Sequence, residues 1–80
     1  MSLQTIEETL IAGIAVIISK DKSSITPDML FNQLGIDSLG FVEVLVFIEK
    51  TFNLRLIELN MTRKDFETIH SIASFIHMKK

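Results

Sequence analysis

Asp37-Ser38-Leu39 brings together the two side chains best placed for chemistry: a carboxylate suited to capping a helix and a hydroxyl in its first turn. Leu34-Gly35-Ile36 leads into them and an apolar run ending at Phe52 follows. A serine at the mouth of such a helix presents its Oγ among unpaired backbone N–H groups at the positive end of the macrodipole. Those surroundings receive a phosphodiester well. The same hydroxyl can act as a nucleophile only where a base and an oxyanion site converge on it. The chain has no Gly-x-Ser-x-Gly elbow, and His70 and His77 are far from Ser38 in sequence. The two histidines lie seven apart on one helix face with no third ligand in the pattern. Neither a catalytic residue nor a metal site is assigned.

Eighty residues make one small domain, residues 1–80. Such a chain buries only roughly 60–65% of its unfolded surface, too little to enclose a large substrate chamber as well as a core. With 48% hydrophobic and 22% charged residues it is globular rather than disordered. A net charge of −2 and scattered basic residues argue against nucleic acid, which needs a basic stripe. The absence of cysteine excludes disulfides and thiolate metal sites and fits a reducing compartment. It also means that any thioester chemistry must use a thiol brought in from outside. The apolar stretch from Leu10 to Ile18 is too short for membrane insertion and lacks a preceding basic segment, so a cytoplasmic protein is expected.

The elements that must position Ser38 can be read from periodicity. Leu3, Ile6, Leu10, Ile14 and Ile17 recur at helical spacing and predict a first helix over residues 3–19, with Ile11, Val16 and Ile18 widening its apolar face. Gly13 inside it costs roughly 1 kcal/mol relative to Ala and marks a close crossing. A polar loop follows. Thr26-Pro27-Asp28 then reads as an N-cap, a first-turn proline and a first-turn acid, opening a short turn that ends near Gly35. Leu30, Phe31 and Leu34 would pin this long connection to the core.

Asp37 is the best cap in the chain, and the helix it opens runs to about Phe52. On a helical wheel Phe41, Val42, Val44, Leu45, Ile48 and Phe52 share one face, and Leu39, Gly40, Glu43, Val46, Phe47 and Lys50 lie opposite. Three apolar residues on a face that should be solvated mean either a helix buried nearly all round or an outer face that meets partners, and so small a domain favours partners. Glu43 and Glu49 read as solvated acids. Leu54 to Leu59 alternates like a strand but has nothing to pair with, and is expected to be an extended loop. Thr62 and Asp65 have capping-box spacing for a short helix burying Phe66. Thr68 caps a last helix over residues 69–78, with Ile69, Ile72, Ala73 and Ile76 inward and Lys79 and Lys80 at its negative end. Phe31, Phe41, Phe52 and Phe66 are expected in the core. The fold class is all-α: a small four-helix bundle of three main helices and one short one, with a long loop between the first two.

From residue 30 to residue 76 the chain resembles the acyl carrier proteins. The resemblance rests on Leu34-Gly35-Ile36-Asp37-Ser38-Leu39-Gly40-Phe41-Val42-Glu43-Val44-Leu45, followed by Ile48-Glu49 and Phe52. It implies that Ser38 carries 4′-phosphopantetheine transferred from coenzyme A, that the arm's thiol holds acyl or aminoacyl groups as thioesters, and that the protein is no enzyme. Asp37 would then help recognition by the phosphopantetheinyl transferase. Leu39, Gly40, Glu43, Val46 and Phe47 would form the docking face for acyl- or aminoacyl-loading and acyl-processing enzymes, and a monomer is expected. Two departures from the fatty acid carriers stand out. Gly40 follows Asp-Ser-Leu in a helix with only Glu43 and Glu49 acidic, and Met61-Thr62-Arg63-Lys64-Asp65-Phe66-Glu67-Thr68-Ile69 replaces the acidic third-helix segment of those carriers. The first implies weak steering and docking that leans on Leu39, Val46 and Phe47. The second is more similar to discrete carriers of specialised, polyketide-like or modified-acyl pathways than to the carrier of housekeeping fatty acid biosynthesis. The rival expectation is a helical protein-interaction module with no prosthetic group.

Overall fold

The computed structural model describes residues 2–79, the side chain of Ile57 excepted. Ser2 opens the chain's first helix by accepting the Thr5 N–H on its Oγ at 3.1 Å, and α1 (Leu3–Ile17) follows. Ile6, Leu10 and Ile14, each four residues apart, are buried together with Ala15. The helix ends earlier than its apolar pattern suggests. The Lys20 N–H donates to the Ala15 carbonyl at 2.9 Å and the Ser19 N–H to the Val16 carbonyl at 3.2 Å, with Ser19 at φ 58°. This is a Schellman closure, and its left-handed position is held by a serine rather than the usual glycine. Val16 was expected to widen the apolar face but is 79% exposed. Two residues beyond Ile14, it is rotated by about 200° from the core.

The connection to the next helix corrects the expected start at Thr26. Residues Lys22–Ser24 form a 3₁₀ turn, and Asp21 Oδ1 accepts the Ser23 N–H at 3.0 Å. That backbone hydrogen bond, above all, holds the Asp21 carboxyl below its usual pKa. Thr26 and Asp28 close a tight turn instead of capping a helix. The Thr26 hydroxyl donates to Asp28 Oδ1 at 2.7 Å, which lowers the Asp28 pKa. The groups a helix here would need are taken from across the bundle. The Pro27 carbonyl accepts the His70 N–H and the Phe31 N–H donates to the Glu67 carbonyl, both at 2.8 Å, flanking an antiparallel bridge between Leu30 and Thr68. The helical turn comes later, at Phe31–Leu34, and is stopped by Gly35 at φ 74°.

Asp37 caps α2 (Ser38–Phe52) as expected, and Val44, Ile48 and Phe52 enter the core. Beyond it, Leu56–Glu58 form a 3₁₀ turn where an extended loop was expected. The cause is Glu49, whose Oε2 accepts the Leu56 N–H at 3.0 Å. This acid is half-buried and fastens the following segment, a correction to its reading as a solvated residue. The Thr62 N–H donates to Asp65 Oδ2 at 2.8 Å at the head of the short helix, which is the 3₁₀ segment Arg63–Phe66. Thr68 Oγ1 then accepts the Ser71 N–H at 2.9 Å and begins α3 (Ile69–Lys79). Ile69, Ile72, Ala73 and Ile76 of α3 are fully buried. Each such isoleucine contributes about 1.5–3 kcal/mol by leaving water. Lys79 lies over the Phe75 ring at 5.4 Å, while Lys80 falls outside the described residues.

The result is the expected all-α bundle with a long connection between its first two helices. α1 packs on both α3 and α2, and the Arg63–Phe66 turn packs on α3. Gly13 is the close crossing: a Cβ there would fall 2.2 Å from Phe47 Cζ, so the bare backbone lets the ring lie on α1. Glu7 and His70 pair side chain to side chain between α1 and α3. No helix among the described residues is long and apolar enough to cross a membrane.

Candidate functional site

Ser38 is exposed at the first position of α2, and its hydroxyl makes no hydrogen bond with a described residue. Beside it, Asp37 Oδ1 accepts the Gly40 N–H at 2.7 Å and the Asp37 carbonyl accepts the Phe41 N–H at 2.8 Å. The carboxylate is committed to capping, leaving the hydroxyl open to water. Gly40 has a local reason as well. A Cβ there would lie 3.1 Å from Ile36 Cγ2 and 3.2 Å from Asp37 Oδ1, crowding the cap.

Ser38 lies on the rim of a groove of about 750 Å³ between the Phe31–Leu34 turn, the start of α2 and the Arg63–Phe66 turn. One wall is aromatic. Phe41 meets Phe31 edge-on at 6.0 Å between centroids and Phe66 at 5.6 Å. These three rings were expected in the core, yet all are half-buried, with one side on the core and the other on the groove; of the four, only Phe52 is buried. Asp37, Arg63 and Glu67 supply the charged part of the lining. A second cavity of about 520 Å³ adjoins the other side of Phe41, Val42 and Phe66, against Leu45, Leu56 and Met61. The shared residues are a partition between the two.

The outer face of α2 carries Leu39 at 70% exposure, Val42 at 54% and Val46 at 41%, with Glu43 and Lys50 also exposed. Spacings of three and four put the apolar three in one stripe. Val42 had been placed inward by the helical wheel. Phe47 had been placed on the outer face but is half-buried on Gly13.

A family model described as the C-terminal acyl carrier domain of the highly reducing polyketide synthase sdgA matches residues 1–80. Among curated proteins, the chain is 37% identical over 70 residues to an acyl carrier protein of Onion yellows phytoplasma, covering 86% of this chain and 90% of that one. It is 35% identical over 69 residues to a D-alanyl carrier protein of Streptococcus pyogenes serotype M5, covering 86% and 87%. The chain belongs to the acyl carrier protein family. No solved structure matches it significantly.

A carrier of this family is not a catalyst and works through partner enzymes. In this carrier neither histidine lines the Ser38 groove: His70 is paired with Glu7 on the α1–α3 seam, and His77 is exposed on α3. No cluster of three or more metal-ligating side chains occurs among the described residues. Sequence reasoning missed the aromatic wall, Arg63 as a groove residue and Val42 as part of the outer stripe. Phe31, Phe41 and Phe66 come from three separate elements, so no local spacing signals their meeting. Val42 was recoverable in principle from its three-residue step beyond Leu39.

Proposed function

We propose that residues 1–80 are one carrier domain in which Ser38 holds 4′-phosphopantetheine, a group that members of this family carry covalently. The single observation behind this reading is the exposed Ser38, on the rim of a groove, whose hydroxyl has no hydrogen-bond partner among the described residues. The surroundings suit the group: a hydroxyl open to water for the link, Arg63 for the anionic end and an apolar wall for the rest. In the transfer, the Ser38 Oγ–phosphorus bond forms, the pyrophosphate bond of coenzyme A breaks, the hydroxyl proton goes to solvent or the transferase, and adenosine bisphosphate leaves. Bound, the group supplies a thiol on a flexible tether that holds acyl or aminoacyl cargo as a thioester. Asp37 keeps the helix mouth ordered so that the hydroxyl stays outward.

Partner enzymes, the transferase among them, dock along Leu39, Val42 and Val46, with Glu43 at the edge. Gly40 and Phe47 act behind this face, the first by sparing the cap and the second by bracing α2 on α1. Long-range steering is weak, because Glu43 is the one acid on that face and the Glu49 carboxylate is occupied with Leu56. That balance, with the polyketide-synthase family match, favours a specialised pathway over housekeeping fatty acid synthesis, in a cytoplasmic setting.

The test is intact-mass analysis after incubation with coenzyme A and phosphopantetheinyl transferases. The wild-type chain gains one phosphopantetheine and Ser38→Ala gains none. A wild-type chain left unmodified by several transferases, yet still binding carrier-dependent enzymes, would favour an interaction module without a prosthetic group.

A further inference from the structure

The Ser38 groove already carries more negative than positive charge. Asp37 and Glu67 line it with a single cation, Arg63, and neither Arg63 nor Glu67 is ion-paired with a described residue. Any anion bonded to Ser38 Oγ therefore joins two carboxylates and faces one guanidinium. The ion pairs among the described residues lie elsewhere: Arg55 with Glu58 in a different turn, and His70 with Glu7 between α1 and α3. Arg63 stands at the head of the turn that delivers Phe66, so the cation and the aromatic wall are placed by the same four residues.

We propose that Arg63 is the counter-ion of the phosphodiester on Ser38, and that it seats the proximal part of the prosthetic arm in the groove against Phe31, Phe41 and Phe66. The proposal rests on the reading of Ser38 as the attachment residue. Three observations carry it: Ser38 and the cation line one concavity, the cation has no ion-pair partner among the described residues, and the rest of the lining is largely aromatic and apolar. The groove volume of about 750 Å³ falls within the range of roughly 300–1,000 Å³ typical of sites for small organic molecules. Arginine suits the task because its planar fork meets two phosphate oxygens at once. Glu67 opposes it, so the arm exchanges between a seated and a free state rather than being locked.

The experiment compares amide and ring resonances of apo and holo protein, with holo formation verified by mass, for the wild type, Arg63→Gln, Arg63→Lys and Glu67→Gln. In the wild type, holo formation shifts Phe31, Phe41 and Phe66 as well as the neighbours of Ser38. Arg63→Gln lowers the seated-to-free ratio about two- to fivefold at low salt, the range of an exposed ion pair. Glu67→Gln raises it, and Arg63→Lys retains most of it. At 1 M salt, where screening acts within about 3 Å, the wild type and Arg63→Gln converge. Groove resonances unchanged on holo formation, or identical shifts in the wild type and Arg63→Gln, would overturn the role of Arg63 while leaving Ser38 as the attachment residue. Failure of the wild type and of every variant alike to take up the group would remove the attachment reading itself, and this proposal with it.

Discussion

The α1–α3 seam and the Ser38 groove are built from similarly apolar residues and come out differently. Along the seam, Ile6, Leu10 and Ile14 meet Ile69, Ile72 and Ile76, all fully or almost fully enclosed. Around the groove, Phe31, Phe41 and Phe66 stop at half burial and leave about 750 Å³ open beside them. Branched aliphatic side chains on regular helices interlock with few rotamers to choose from. The aromatic rings, Phe41 on α2 and Phe31 and Phe66 on short turns, meet edge-on and leave space at their margins. The seam thus supplies stability, and the groove is where the fold gives some of it up for access.

Mutations can break or sharpen this contrast. The largest effect on stability should come from Ile72→Ala, a loss of about 2–5 kcal/mol in urea unfolding followed by circular dichroism. A loss below about 1 kcal/mol would mean the seam is no better packed than the groove. Phe66→Ala should cost less, about 1–1.5 kcal/mol, because only part of the ring leaves water. It should also merge the two cavities on either side of the partition, read as increased uptake of a hydrophobic dye. Gly13→Ala comes next, at about 1 kcal/mol net, since the clash with Phe47 outweighs the gain in helix propensity. Adding Phe47→Ala should remove most of the clash penalty, and strict additivity of the two would place the ring elsewhere.

The smallest effect concerns neither region but the loop between them. The folded Asp28 carboxyl titrates below its ordinary value, chiefly because of the Thr26 hydroxyl. Its contribution is complete above the ordinary carboxylate range and is lost as pH falls through the lower folded value. Asp28→Asn should therefore slightly flatten the acid limb of the stability profile below the ordinary carboxylate pKa. An unchanged limb would show the hydrogen bond to be energetically silent.

The regular parts of the molecule were legible because their signals are local. Asp37 announces α2, Thr68 announces α3, and isoleucines at helical spacing mark the faces that become the seam. Gly13 flagged a crossing that is there. Misreadings arose where distant groups competed for the backbone. Thr26-Pro27-Asp28 has the chemistry of a helix start, but the Pro27 carbonyl and the Phe31 N–H are claimed by residues some forty positions away. Ser19 hides a left-handed closure behind a residue type that does not advertise one. For the site, the motif located Ser38 and its cap. The groove beside it was invisible, because Phe31, Phe41 and the Arg63–Phe66 turn belong to three separate elements that assemble only in three dimensions.

The pair of cross-bundle hydrogen bonds beside Leu30 and Thr68 has a bearing on how this carrier could be retuned. They staple the two banks of the groove together at the base, so its width does not swing with the loop. Aperture is left to the torsion angles of individual phenyl rings. Exchanging Phe66 for a leucine, rather than lengthening or shortening the connecting segment, is then the economical way to change the groove's width.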